Sequence, residues 1–206
     1  MARALSPALR PRSERRLILP PAPPKSRFLE YLLANNQPYL AGFRKWVFLP
    51  GMLFNATEQW WGDKKPRVTP HEGLDLCCFE DADGDIRQLP GGIKIPAAFA
   101  GTIQKIDDDF LGKSIFVSHE IFDEKKGQLY TIYGHTAPVA GRALRSVAAG
   151  EIIGAIADRP GRNSTLLPHL HITAAWVPLR YPLEQLTWQH IGTDKRITLL
   201  DPLLIL

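Results

Sequence analysis

The run Ser114-Ile115-Phe116-Val117-Ser118-His119 shows the pattern that decides the fold, because this short apolar stretch predicts a strand that is buried on at least one face. Other short apolar runs follow from residue 46 onward, and glycine, proline, aspartate or asparagine separates them. The predicted strands cover residues 74–79, 93–95, 101–107, 114–119, 128–133, 152–157 and 171–177. This spacing predicts an all-β fold, a compact antiparallel β-sandwich or barrel.

The residues before this β region differ from it in composition. Residues 1–25 carry six basic residues, one acidic residue and six of the 18 prolines of the chain, which predicts a disordered or extended basic tail. After the tail, Ser26 is placed to cap a short helix that ends near Asn35. We therefore expect a tail over residues 1–25, an N-terminal extension with a short helix over residues 26–64, and one domain over residues 65–206.

Charge and hydropathy exclude some classes of protein. The 206 residues carry a net charge of +4, but the tail alone carries +5, so the fold itself is not basic and nucleic acid is not expected as a partner. No apolar run approaches the roughly 20 residues of a membrane-spanning helix. The apolar run Leu17-Ile18-Leu19 is too short for a signal peptide, so the sequence leaves the compartment open.

Two histidines stand two residues apart in the run Pro168-His169-Leu170-His171-Ile172-Thr173. The flanking residues predict a strand, and in a strand the side chains at i and i+2 leave the same face. Two imidazoles on one face are a common way to build a metal site or a proton-transfer site. A single His-x-His pair is weak evidence, but a second cluster, His71-Glu72-Gly73-Leu74-Asp75, precedes it by about 100 residues.

The second cluster offers one nitrogen ligand and one carboxylate ligand. We expect it to form a strand, because two leucines alternate with Gly73 and Asp75 and glycine is a poor helix residue. His71 and Asp75 would then leave the same face, and Gly73 between them would leave room. A neutral imidazole from His169 or His171 would complete a three-ligand zinc site with water in the fourth position.

Water attack on an amide next to such a zinc ion needs a proton acceptor and a group that stabilises the oxyanion. Histidines beside the metal but not bound to it suit both tasks. The candidates are His135, in the run Tyr133-Gly134-His135-Thr136, and the member of the His-x-His pair that does not bind zinc. Strand geometry alone does not say which of His169 and His171 is the ligand.

These elements together resemble the lysostaphin-type (LytM-like) zinc metallopeptidases, which cut peptidoglycan peptides. The resemblance covers roughly residues 65–206 and rests on ordered motifs with the spacing of that family. The motifs are His71-Glu72-Gly73-Leu74-Asp75, Tyr133-Gly134-His135, Gly150-Glu151-Ile152-Ile153-Gly154, His169-Leu170-His171 and the closing Asp201-Pro202.

The resemblance implies that His71, Asp75 and His171 hold Zn²⁺, and that His135 and His169 act as general base and transition-state stabilisers. It implies a compact antiparallel β-sandwich with the site in a groove. It also implies a metalloendopeptidase whose substrates are peptidoglycan stem peptides or cross-bridges. Two features depart from the family pattern, the bulkier segment at residues 157–168 and Ile172 in place of a frequent phenylalanine, and both would alter the groove walls and substrate choice.

Two alternatives to an active enzyme follow from the same resemblance. The first is a catalytically inactive binding or regulatory module for cell-wall hydrolases. Such modules typically lack zinc ligands, whereas all five expected positions are filled here, which favours the enzyme. The second is a latent enzyme, in which the segment before residue 65 occludes the groove and Asn55 supplies a fourth ligand.

The remaining candidate side chains receive structural interpretations. His119 is expected in a turn or on a groove wall, and His190 is assigned no role. The Trp60-Trp61 pair could line a groove or serve packing. A bridge between the adjacent Cys77 and Cys78 would be strained, so we expect neither a disulfide framework nor a cysteine zinc site.

Overall fold

The structure is a computed structural model that describes residues 23–125, 127–139, 144–158 and 166–206, so most of the predicted tail lies outside the described residues. Within these ranges the chain is mainly β. The helical elements are α1 (Phe28–Asn35), α2 (Trp188–Ile191) and the 3-10 turns Pro50–Met52, Leu183–Gln185 and Pro202–Leu204. The strands are β1 (Lys45–Val47), β2 (Leu74–Leu76), β3 (Cys78–Glu80), β4 (Ile86–Gln88), β5 (Lys94–Pro96), β6 (Gly101–Asp109), β7 (Gly112–Phe122), β8 (Gly127–Pro138), β9 (Arg145–Val147), β10 (Ile152–Ile156), β11 (Leu170–Pro178) and β12 (Thr198–Leu200).

The strands of the described residues form one antiparallel sheet of nine strands and a second sheet of three. The large sheet has the order β12-β11-β8-β7-β6-β9, with β2 also on β11, and with β10 joining β8 to β5. The small sheet has the order β1-β3-β4. The prediction of a compact antiparallel all-β domain is therefore confirmed. No helix in the described ranges combines the length and apolarity needed to cross a membrane.

The β7–β8 pair forms the centre of the core, and its sequence explains why. Ile115 pairs with Tyr133 on one face of the sheet, and Phe116 pairs with Ile132 on the other. All four side chains are fully buried, and the two faces belong to separate hydrophobic clusters. A strand that is apolar on both faces needs cover on both sides, which the rest of the chain provides.

Helix α1 supplies part of that cover. Its predicted position is confirmed, but the predicted cap is wrong: the N-cap residue is Arg27, which makes no side-chain capping bond, and the preceding Ser26 only accepts a hydrogen bond from the Phe28 N–H at 3.2 Å. Phe28 and Leu32 are buried in the main core, where the Phe28 ring lies 6.2 Å from the ring of Tyr133. The helix is therefore packed onto the sheet that carries the histidines.

Strand β8 contains an irregularity that matters for the site. Up to Gly134 this strand pairs with β11, and from Thr136 onward it pairs with β10. On the opposite edge, Gly134 and His135 together lie across from Ser114 of β7, which makes a β-bulge. His135 has a φ of 61°, in the left-handed region that non-glycine residues rarely adopt. Bulges of this kind redirect a side chain and are frequent beside active sites.

The expectation that His119 lies in a turn or on a groove wall is wrong. β7 is longer than predicted, and His119 lies inside it with no exposed surface. Its Nδ1–H donates to the Ala100 carbonyl at 3.0 Å, and Nε2 lies 2.8 Å from the Thr131 hydroxyl. Thr131 contacts the Tyr133 hydroxyl, which accepts from the Ala98 N–H at 2.8 Å. This chain of bonds ties the segment before β6 to the sheet.

Acid is expected to destabilise the fold through His119. Burial lowers the pKa of this histidine from 6.5 to about 4, so between these values the unfolded chain binds the proton more readily than the folded chain. Stability is therefore lost as the pH falls through this window, by about 3 kcal/mol in total. The variant His119→Asn keeps a donor for the Ala100 carbonyl but does not titrate.

Urea unfolding at about pH 7 and about pH 5 tests this expectation. The free energy of unfolding should fall by about 2 kcal/mol less in His119→Asn than in the unsubstituted protein. Between about pH 7.5 and pH 8.5 the two profiles should run parallel, because His119 is then neutral in both states. Parallel profiles down to about pH 5 would contradict the assignment.

Candidate metal centre and active site

Strand register brings two of the predicted ligands together. Asp75 of β2 lies directly opposite His171 of β11. His71 belongs to the loop before β2, because this strand begins only at Leu74, so the strand predicted over the whole cluster is wrong in its first half. Two backbone hydrogen bonds fix the loop: the Asn55 N–H donates to the His71 carbonyl, and the His71 N–H donates to the Ala56 carbonyl, both at 2.9 Å. In this position the His71 imidazole lies next to Asp75.

The three side chains form a compact triangle of donor atoms. His71 Nε2 lies 3.1 Å from His171 Nδ1 and 3.3 Å from Asp75 Oδ1, and His171 Nδ1 lies 2.9 Å from Asp75 Oδ1. Two zinc bonds of about 2.0–2.1 Å at a tetrahedral angle separate their donor atoms by about 3.3 Å, so the triangle fits zinc. All three residues are buried, and together they are the group that could hold a metal ion within the described part of the chain.

The other ring nitrogens of both histidines have partners. His71 Nδ1–H donates to the Leu53 carbonyl at 3.0 Å, and His171 Nε2 lies 2.9 Å from the Thr173 hydroxyl. Bonds of this kind fix the tautomer and the ring orientation of metal-binding histidines. Gly73 is required here, since a Cβ on it would lie 2.7 Å from His171 Nε2 and 2.5 Å from the Ile172 carbonyl oxygen.

Asp75 uses its two oxygens differently. Oδ1 faces the histidines, whereas Oδ2 accepts the indole N–H of Trp60 at 2.7 Å and lies 3.9 Å from Arg67 Nη2. Burial would raise the pKa of Asp75, but the close contacts of its carboxylate with His171 and His71 hold it well below its ordinary value. The carboxylate is therefore charged, and a single oxygen is directed at the triangle.

His135 and His169 stand beside this triangle. The His169 Nε2 lies 3.9 Å from Asp75 Oδ1, and its Nδ1–H donates to the Leu167 carbonyl at 2.8 Å. The His135 ring lies 4.7 Å from the His169 ring, centroid to centroid. Burial lowers the pKa of His169 to about 4, so its imidazole is neutral near pH 7. The structure thus brings all five predicted site residues together, while their individual roles stay predictions.

A groove of about 470 Å³ opens onto these residues. Its walls include three aromatic side chains, Trp61, Phe110 and Trp188. Phe110 is 68% exposed and lies edge-on to His135 at 4.6 Å, and Trp188 lies edge-on to His171 at 4.9 Å. These walls were not identified from the sequence, except that the tryptophan pair was considered for a groove.

The tryptophan pair combines the two roles considered for it. Trp60 packs in a hydrophobic cluster with Cys77 while it donates to Asp75, and its neighbour Trp61 lines the groove. Asn55 lines a separate cavity of about 330 Å³. Cys77 is buried and Cys78 is partly buried.

The sequence was also compared with known proteins. A family model described as peptidase family M23 matches residues 70–178. None of the curated proteins in the comparison matches the chain.

Among solved structures, the chain is similar to the antimicrobial peptidase lysostaphin from Staphylococcus simulans, at 18% identity and a TM-score of 0.41 over 65% of this chain and 42% of that one. It is similar to LytU at 21% identity and a TM-score of 0.40, over 64% and 78% of the two chains. It is also similar to a chain of the SpoIIQ–SpoIIIAH complex at 20% identity and a TM-score of 0.40, over 66% and 64%. The chain thus spans less than two thirds of the length of some of these proteins.

Proposed function

The chain belongs to peptidase family M23, and from this premise we propose that it is a zinc-dependent endopeptidase that hydrolyses peptide bonds in peptidoglycan stem peptides or cross-bridges. The observation that carries the proposal is the triangle of His71 Nε2, Asp75 Oδ1 and His171 Nδ1, whose three residues line the groove. His135 and His169 lie next to it, where a bound peptide would be within their reach.

In this proposal His71, Asp75 and His171 hold the zinc ion. Zinc bound there would polarise the scissile carbonyl and lower the pKa of a water molecule to about 7. Trp60 donates to the second oxygen of Asp75 and Arg67 lies 3.9 Å from it, so Oδ1 is the oxygen that would bind the ion. The protein thereby offers three donors, and all three residues line the groove in which substrate would bind.

The other two histidines handle the proton and the oxyanion. His169 Nδ1 is engaged by the Leu167 carbonyl and His135 Nδ1 by Asp109, so Nε2 of each ring remains for the groove. Either ring can therefore accept the proton of the attacking water at Nε2 and pass it to the leaving amine, whereas a ring stabilises the tetrahedral oxyanion only as the imidazolium, in which Nε2 carries a hydrogen to donate.

We also propose that residues 26–64 support the catalytic domain at 65–206. This extension contributes the Trp60 hydrogen bond to Asp75 and the Leu53 carbonyl that orients His71. Asn55, which the sequence suggested as a fourth ligand, lines another cavity, and this favours a supporting role for the extension.

Zinc content and peptide release from purified cell walls test the proposed function. The full chain should hold one zinc ion and release peptides with new amino termini. A chelator should stop the release, and added zinc should restore it, because three protein donors bind the metal reversibly. A folded protein that takes up no zinc would contradict the proposal, and wall binding without any release would favour the binding module.

A further inference from the structure

The bulge at His135 leaves a backbone N–H without a partner in the sheet, and Asp109 takes it. The His135 N–H donates to Asp109 Oδ2 at 2.8 Å. The ring of the same residue reaches the other oxygen, with His135 Nδ1 at 3.3 Å from Asp109 Oδ1. One carboxylate thus holds both the backbone and the imidazole of a single residue, in a left-handed conformation that alone would be unfavourable.

Asp109 is itself fixed in place. It is the last residue of β6, where the turn into β7 begins, and its side chain is 2% exposed. Oδ1 accepts from the Leu111 N–H at 2.9 Å, and Oδ2 accepts from the Ser114 hydroxyl at 2.8 Å. Ser114 in turn accepts the indole N–H of Trp188 at 2.8 Å, so the bonds run from the groove wall to His135.

These contacts keep the carboxylate charged. Burial by itself would raise the pKa of Asp109, but the side-chain and backbone hydrogen bonds from His135 hold it well below its ordinary value. A charged carboxylate can only accept hydrogen bonds, so the Nδ1 that faces it must carry a proton. The neutral imidazole then has its lone pair on Nε2.

We propose that Asp109 is a positioning residue that holds His135 in the Nδ1–H tautomer, with the Nε2 lone pair directed to the groove, and that it stabilises the imidazolium formed when His135 takes a proton. The proposal rests on the proposed function for the proton step, but its statement about the tautomer holds for the protein at rest. A buried carboxylate plays this part for the histidine of Ser-His-Asp sites, where the amide replacement selects the wrong tautomer.

A purely structural role for Asp109 makes a different prediction. Such a role would be met by any side chain that accepts the His135 N–H and keeps the bulge. Asparagine can do so with its carbonyl oxygen, but its NH₂ group then faces His135 Nδ1 and donates to it. The variant Asp109→Asn therefore keeps the acceptor for the His135 backbone N–H. It reverses the direction of the hydrogen bond to the ring, so that His135 Nδ1 becomes the acceptor.

The matched control is Asp108→Asn. Asp108 is the preceding residue of β6, but its side chain is 86% exposed and pairs with Lys113. The change of charge is the same in both variants, so a difference between them reports the contact with His135.

Nitrogen-15 NMR of the histidine rings, with and without zinc, gives a readout that does not depend on activity. His135 is assigned by the signal that is missing from His135→Asn. In the unsubstituted protein and in Asp108→Asn this ring should be the Nδ1–H tautomer, and in Asp109→Asn it should shift to Nε2–H. An Nε2–H tautomer in the unsubstituted protein would overturn the proposal without reference to any variant.

Kinetics of peptide release give the second readout. Asp109→Asn should lower kcat by about 10²- to 10⁴-fold with little change in KM and with one zinc still bound. Equal kcat values for Asp109→Asn and Asp108→Asn would overturn the positioning role. If the unsubstituted protein releases no peptide, the proposed function fails, while the NMR measurement still decides whether Asp109 sets the tautomer.

Discussion

Substitution of His71 by alanine is expected to remove zinc from the protein and to abolish peptide release. His71 supplies one of the three donor atoms, and its loss leaves only Asp75 Oδ1 and His171 Nδ1 to bind the ion. Losing a hydrogen-bond partner of a ligand costs about 10- to 100-fold in metal affinity, so losing a ligand should cost more than that. Metal analysis after dialysis against a weak chelator, followed by a peptide-release assay, measures both effects.

The control for this variant is His190→Ala. His190 lies in α2, where its Nδ1 contacts the Thr187 hydroxyl at 3.0 Å, and it is not among the residues that line the groove. This variant should keep one zinc ion and the rate of the unsubstituted protein. Retention of stoichiometric zinc in His71→Ala would contradict the assigned ligand set, and retention of peptide release without zinc would contradict the proposed chemistry.

Local sequence was enough to predict the centre of the fold. The apolar runs around Ile115 and Ile132 need burial on both faces, and the structure places them side by side in β7 and β8. The helix after Ser26 follows from its apolar spacing in the same way. These features depend on residues that are near one another in the chain, which is where propensity and periodicity carry information.

The supporting residues of the site could not be predicted, because they reach it through tertiary structure. Trp60 forms a hydrogen bond to Asp75, which is 15 residues away in the sequence, and Asp109 forms one to His135, which is 26 residues away. Neither belongs to a motif, and an aspartate at the end of a strand is typical of an ordinary turn. The bulge at His135 lies where β8 stops pairing with β11 and starts pairing with β10. A local sequence pattern does not show such a change of partner strand.

The five motif residues were predictable for a different reason. Their spacing alone placed His71 and Asp75 on one face of a strand, and this strand is only partly present. The residues nevertheless lie close together. The register of β2 against β11 places Asp75 opposite His171, and the loop before β2 brings His71 to the same point. A motif can thus predict which side chains lie close together even when the local structure inferred from it is wrong.

Replacement of His135 is expected to differ from the loss of His71 in its effect on the metal. Both variants should lose catalysis, but the His135 variant should keep its zinc ion. The His135 ring lies outside the donor triangle, with its centroid 5.9 Å from that of His171. Asparagine is the suitable substitute, because it tolerates the φ of 61° better than alanine and cannot act as a base. The rate of peptide release should fall by about 10²- to 10⁴-fold, the usual contribution of a positioned proton-transfer group.

The comparison of the two variants distinguishes an enzyme from a binding module. Metal content, cell-wall binding and peptide release are measured for His71→Ala, His135→Asn and the unsubstituted protein on the same walls. If the chain is an endopeptidase, His135→Asn should hold one zinc and bind walls while releasing peptides far more slowly, whereas His71→Ala should lose both zinc and release. If wall binding survives both substitutions and no protein of the three releases peptides, the groove serves recognition. An unchanged rate in His135→Asn would remove His135 from the proton step, and with it the reason for a buried carboxylate behind its ring.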